Sequence, residues 1–164
     1  MFSAGPAGGD PSFGVVGIPT AIGEWPDGSV TATYSGTTNF SIVDATSYYD
    51  LVGSASVTAD FGAADLDATF SSLSGTYSDG VSASQNVTDV ATVSLNNAVI
   101  SGNTFSGGSA EFSSTQITTD LTGAELVDSS GGFYGPNADE VGGVVLVDDT
   151  ASGSLVLLGG FVAD

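Results

Sequence analysis

Over much of this chain apolar and polar residues alternate one by one, the spacing that sends successive side chains to opposite faces of a β-strand. In Ser29–Thr37 the apolar parity is Val30, Ala32, Tyr34 and Gly36, with Ser and Thr at every other position. Leu51–Phe61 repeats the pattern, with Leu51, Gly53, Ala55, Val57, Ala59 and Phe61 on one side. After Gly62-Ala63-Ala64, residues Leu66, Ala68 and Phe70 face one way and Asp65, Asp67, Thr69 and Ser71 the other. Two such runs joined by a short small-residue connection predict a hairpin, with Val57, Phe61, Leu66 and Phe70 in the core.

The pattern continues to the end of the chain. Gly75–Asn86 reads as a polar loop turning at Asp79-Gly80, and Val90–Ala98 as a strand presenting Ala91, Val93 and Leu95. Past the Gly102-Asn103 turn, Phe105 and Phe112 differ in parity within Thr104–Ser113, so Gly107-Gly108 is expected to hold a bulge that restores register. A connection over Thr118–Ser130 leads to a strand ending at Phe133 and Tyr134, then strands at about Gly143–Val147 and Ser154–Val162. The fold class expected is all-β, an eight-stranded antiparallel up-and-down barrel, since closure removes exposed edges. A two-sheet sandwich is the alternative. An outer-membrane barrel shares the dyad period, but the apolar parity here is mostly Gly, Ala and Val and makes a poor lipid band without aromatic girdles.

The last two strands depart from alternation. Val144-Val145-Leu146-Val147 and Leu155-Val156-Leu157-Leu158 are apolar on both faces, so the outside of the barrel should be covered there. Residues 1–28, rich in Gly and Pro, carry Phe13, Val15, Val16, Ile18 and Trp25, more large apolar groups than a disordered tail uses. The chain is therefore divided into an extended arm, 1–28, and a barrel, 29–164. The predicted contact joins Phe13, Val15, Val16, Ile18 and Trp25 to the outer face at Val144, Leu146, Val156 and Leu158, either within one chain or on a neighbouring copy.

Charge narrows the partners. The chain has no Lys, Arg or His against 19 Asp and Glu, a formal charge of −19. Nucleic-acid affinity rests on Lys and Arg displacing counterions, so nucleic acid and anionic membranes are excluded as partners. The carboxylates must be solvated, bound to cations or hydrogen-bonded to backbone N–H groups. There is no cysteine, hence no disulfide, thiol chemistry or lipobox residue. Residues 1–28 lack a basic n-region and apolar h-region, and no run approaches the roughly 18 apolar residues of a membrane helix. An exported protein would then be a mature form, a fragment, or one that uses a route this sequence does not show.

Little in the sequence speaks for chemistry. Without His, Lys or Cys, general acid–base catalysis falls to carboxylate pairs such as Asp65 with Asp67 or Asp139 with Glu140. Alternate acids on a strand are more simply a solvated face, and acids in a turn complement its N–H groups. No enzyme and no cofactor is expected. Asp148-Asp149-Thr150 is a candidate weak Ca²⁺ site, set against a charged hairpin loop. Asn39-Phe40-Ser41 and Asn86-Val87-Thr88 match the glycosylation sequon, which has meaning only in a eukaryotic secretory host.

The most specific stretch is Gly131–Val144, Gly-Gly-Phe-Tyr-Gly-Pro-Asn-Ala-Asp-Glu-Val-Gly-Gly-Val. Gly135 and Pro136 end a strand, and a helical turn is predicted through Asn137–Val141 with Gly142 left-handed at its close. Phe133 and Tyr134, being adjacent, should point to opposite faces. The stretch resembles the Gly-Phe-Tyr-Gly-Pro-x-Ala-x-Glu-x-Gly-Gly signature near the end of the barrel domains of transferrin-binding protein B and related bacterial surface lipoproteins. Weaker resemblance runs over residues 29–164, in Tyr34-Ser35-Gly36, Gly53–Phe61 and Ile100–Gly107. It implies a bacterial surface or secreted module, extracellular, that engages a protein or small solute through its loops. The chain lacks an anchor cysteine, a clear handle domain, a second lobe and a haem-ligating histidine, so transferrin and haem binding do not carry over. A structural subunit, self-assembling into a filament or surface layer through arm and final strands, is the second reading.

Overall fold

The computed structural model describes residues 13–26, 28, 30–44, 47–117, 125–148 and 155–164, with the side chains of 125–127 left out. Ten strands form one antiparallel sheet: β1 (Thr31–Asp44), β2 (Ser47–Asp60), β3 (Asp65–Ser78), β4 (Gln85–Val87), β5 (Ala91–Ser101), β6 (Thr104–Ser106), β7 (Ser109–Ser114), β8 (Glu125–Tyr134), β9 (Glu140–Asp148) and β10 (Leu155–Ala163). β1 pairs with both β2 and β10, and the additional β3–β5 pairing joins the two flanks of the sheet. The pairings therefore run in a ring through β1, β2, β3, β5, β6, β8, β9 and β10. β4 and β7 continue the staves of β5 and β6. The only helical elements among the described residues are two three-residue 3₁₀ turns, Ile22–Glu24 and Pro136–Ala138.

The inward parity is the predicted one. Val57, Leu66 and Phe70 are wholly buried and Phe61 nearly so. An aromatic column fills the barrel. Phe40 meets Phe70 at 5.2 Å between centroids, Phe70 meets Phe161 at 5.1 Å, Phe161 stacks on Phe105 at 6.0 Å, and Phe105 reaches Phe133 at 6.3 Å. These separations suit offset and edge-on ring contacts. Small residues make room for the rings. Gly131 and Gly143 are cross-strand partners, and a Cβ on either would strike the Phe105 ring. A Cβ on Gly159 would strike Phe40.

Several elements differ from the sequence reading, each for a local reason. β1 runs to Asp44, beyond Thr37, because Thr38 sits at an inward position with its hydroxyl donated to the Gly160 carbonyl (2.9 Å), so a polar residue continues the buried face. Gly75–Asn86 is not one loop. β3 continues to Ser78 after Ser72 (φ 55°) shifts the buried parity from Phe70 to Leu73. Asn97 (φ 57°) makes a similar step in β5, and the Asp67 carboxylate accepts its N–H at 2.8 Å. Gly107 and Gly108, both at positive φ, form the expected interruption between Phe105 and Phe112. β8 begins at Glu125, inside the stretch read as a connection; 118–124 lie outside the described residues.

In the signature, the turn is Pro136–Ala138 and β9 opens at Glu140, earlier than Gly143. Its left-handed residues are Gly135, Asn137 and Ala138; Gly142 lies within the strand. Phe133 is buried and Tyr134 faces outward, as the strand's two-residue period requires.

Candidate functional site

The two ends of the barrel are built differently. At one end the connections are tight: Phe61–Ala64 between β2 and β3, Gly102-Asn103 between β5 and β6, and the signature turn between β8 and β9. At the other lie the longer segments between β3 and β4, β7 and β8, and β9 and β10, with the connection 45–46.

The tight end is sealed by the arm. Pro19 bridges to Tyr134, Thr20 donates its N–H to the Phe133 carbonyl (3.1 Å), and Gly135 donates to Ile18 (3.0 Å). The buried Thr20 hydroxyl caps the Gly135 carbonyl at 2.9 Å. Trp25 then enters the mouth of the barrel, its ring edge-on to Phe61 (5.1 Å) and to Phe133 (5.4 Å). Beside it the Tyr34 hydroxyl donates to the Ala138 carbonyl at 2.8 Å. Burial, reinforced by the Asp139 carboxylate, pushes the Tyr34 phenol up to about 12.

The predicted contact residues fall into separate places. Phe13 and Val15 lie half-buried over the outer side of β10 and β9. A Cβ on Gly160 would come 3.2 Å from Phe13 Cβ, and one on Gly142 2.8 Å from Val15 Cγ1. Val16 and Ile18 point to solvent, 86% and 83% exposed. Trp25 is in the mouth. Val144, Leu146 and Leu158 are half-buried on the outer face, and Val156 is exposed. Between the arm and the barrel runs a groove of about 370 Å³ lined by Val15, Val16, Tyr134, Glu140, Val141 and Val162 among others.

The open end carries tyrosines and acids. Tyr49 and Tyr77 lie 5.0 Å apart, and the Tyr48 hydroxyl meets Ser41 Oγ at 3.2 Å. Burial, with Tyr77 and Asp44 nearby, raises the Tyr49 phenol above its ordinary value. The Asp79 carboxylate accepts the Ser82 and Val81 N–H groups (2.6 and 2.9 Å) and the Ser82 hydroxyl, which hold its pKa below the usual range. These bonds shape a turn and leave no proton-transfer pair.

The carboxylate pairs weighed for catalysis are structural or solvated. Asp67 holds the β5 bulge, and Asp139 and Glu140 are exposed around the signature turn. Asp148 ends β9, while Asp149 and Thr150 lie outside the described residues. Among the described residues no group of three or more metal-binding side chains gathers, and no helix is long and apolar enough to cross a membrane.

The geometry defines a filled, eight-staved antiparallel barrel with one plugged end. Comparison with known families then places it. Residues 27–164 match the family of C-lobe and N-lobe β-barrels of transferrin-binding protein B, and the chain belongs to that family. A vaccine-antigen double mutant of transferrin-binding protein B from Haemophilus parasuis Hp5 is 26% identical with a TM-score of 0.61, over 89% of this chain and 27% of that one. The Neisseria meningitidis serogroup B isotype 1 protein is 22% identical, TM-score 0.54, over 89% of this chain and 28% of its own. A crystal structure named only as a surface lipoprotein is 21% identical, TM-score 0.54, over 90% and 65%. The last two show the fold alone. The chain thus spans little more than a quarter of the Haemophilus and Neisseria proteins. None of the curated proteins compared with it matches.

Proposed function

We propose that this barrel is a non-enzymatic, cell-surface or secreted binding module that engages a protein through the connections at its open end. One observation carries the reading: among the described residues the interior is filled by the aromatic column and the opposite end is plugged by Trp25, which leaves no chamber there for a small solute and directs recognition to the loops and the outer wall. Barrels that hold a ligand need an empty lumen. Membership of a family whose name records transferrin binding supports a protein partner. The partner's identity does not transfer, since fold alone does not fix it.

The filament reading has less to stand on. Phe13 and Val15 lie on their own barrel, and copies carrying 19 acids and no cation repel each other.

A photo-cross-linking residue at Ser82, on the open end, tests the module against the same residue at Ala63, on the sealed end. Offered transferrin and, separately, the proteins of the producing cell's surface, the Ser82 probe should give a discrete adduct and the Ala63 probe none. Equal labelling from both ends, or none from either, overturns the reading.

A further inference from the structure

The described part of the arm, from Phe13 on, lies against only part of the apolar outer wall. Its contacts with the wall are at Gly142 and Gly160, next to the sealed end. Toward the open end the strand register brings the remaining outward side chains into rows. Tyr48 of β2 pairs with Val43 of β1, which pairs with Val156 of β10. One row nearer the arm, Leu158 lies opposite Leu146. Val43, Tyr48 and Val156 are 42%, 41% and 40% exposed. Monomeric surfaces seldom gather large apolar groups this way without use.

Carboxylates flank the patch in the same register. Asp50 pairs with Ser41 on one side, and on the other Asp148 pairs with Val156 and Asp128 with Leu146. A wall with an apolar centre and a rim of one charge sign selects its partner by complementarity. From this we infer that the β2–β1–β10–β9 wall docks a protein segment that presents aliphatic or aromatic side chains between Lys and Arg. A second copy offers the same acids and no cation. Residues 1–12 of the chain's own arm hold only Met1 and Phe2 as large apolar groups, too few for this wall.

The inference deepens the binding-module reading by naming a surface and the partner's chemistry. Its test is a random peptide library displayed on phage, selected on the full chain and counter-selected on a Val43→Ser/Val156→Ser double variant shown by circular dichroism to keep its strand signal. A second variant, Asp50→Asn/Asp148→Asn, leaves the apolar centre intact. Enriched peptides should combine large apolar residues with Lys or Arg and bind the parent ~10-fold or more tighter than either variant, more weakly as salt screens the rim. Peptides lacking cationic residues, or binding all three proteins alike, overturn the inference. So does a parent that dimerises where the valine variant does not, which makes the occupant a second copy. A library that selects only after deletion of residues 1–12 identifies that segment as the occupant and overturns it too. Success here with no Ser82 adduct would discard the loop reading and keep the wall; a Ser82 adduct without selection would do the reverse.

Discussion

The sealed and open ends share the same eight staves, yet among the described residues the arm closes only one of them. At the sealed end Trp25 meets Phe61 and Phe133 edge to face, those two rings lie tilted against each other, and the arm supplies backbone bonds. At the open end the Asp79 turn holds itself, Ser114 donates to Val90 and Gln116 to Thr88 across the strands, and Val81 is 93% exposed. The difference teaches how, on the proposed reading, stability and recognition are divided along the barrel axis: the arm ties down one end, and exposed loop positions at the other can change with little effect on those contacts.

The largest test of that division is Phe133→Ala. The ring is wholly buried among Trp25, Tyr34, Phe61 and Phe105, and its loss should cost about 3–5 kcal/mol in urea unfolding. Phe70→Ala, deeper in the column, should cost a similar amount. Val81→Ala at the open end should stay within about 0.5 kcal/mol. Equal effects at the two positions would erase the contrast.

Deleting residues 1–24 comes next. It removes the strap at Pro19 and Thr20 and frees Trp25, the chain's single tryptophan. Its emission should shift to the red, the unfolding midpoint should fall, and solubility should drop as the wall at Gly142 and Gly160 is uncovered. A truncated protein as soluble and as stable as the parent would make the arm a passive tail. Gly159→Ala should cost about 1–3 kcal/mol by driving a methyl into the Phe40 ring.

Two solvent effects are smaller. Nineteen acids with no basic side chain repel, so the midpoint should rise from low to near-physiological salt; a flat response would show that repulsion does not limit stability. Tyr34 has a folded pKa of about 12 against an ordinary value near 10. The unfolded chain therefore loses its proton first, and the stability this group contributes is present below about pH 10 and lost as pH rises toward 12. In Tyr34→Phe that part of the alkaline loss should disappear from the urea midpoint.

The barrel was legible because inward positions keep one parity over long runs, as in Leu51–Asp60. It became illegible where parity steps. Ser72 and Asn97 each adopt a positive φ and shift the buried face by one residue, and alternation cannot announce a step at a polar residue. Thr38 hid the second half of β1, because a hydroxyl that satisfies itself on the Gly160 carbonyl looks from sequence like a surface residue. Of the signature glycines, the sequence assigns Gly142 to the close of the turn and Gly131 and Gly143 simply to strands. Gly131, Gly142 and Gly143 are instead spaces, two for Phe105 inside and one for Val15 outside, and only three-dimensional contact assigns such a role. The open-end wall needed register as well: nothing in the separate sequences of β2, β1 and β10 says that Tyr48, Val43 and Val156 stand in one row.

The first long strand of the ring is also the one that closes it. β1 is held on one side by β10 from Gly36↔Ala163 to Asp44↔Leu155, so partners more than a hundred residues apart must meet before either is fully paired. Such non-local pairing places folding among slow β topologies, on the scale of milliseconds to seconds. A nascent or translocating chain cannot complete its barrel until residues 155–163 are free to move. Until then both unpaired margins, including the Leu155–Leu158 segment, are open to wrong partners, and the refolding yield should depend more on chain concentration than native stability alone suggests.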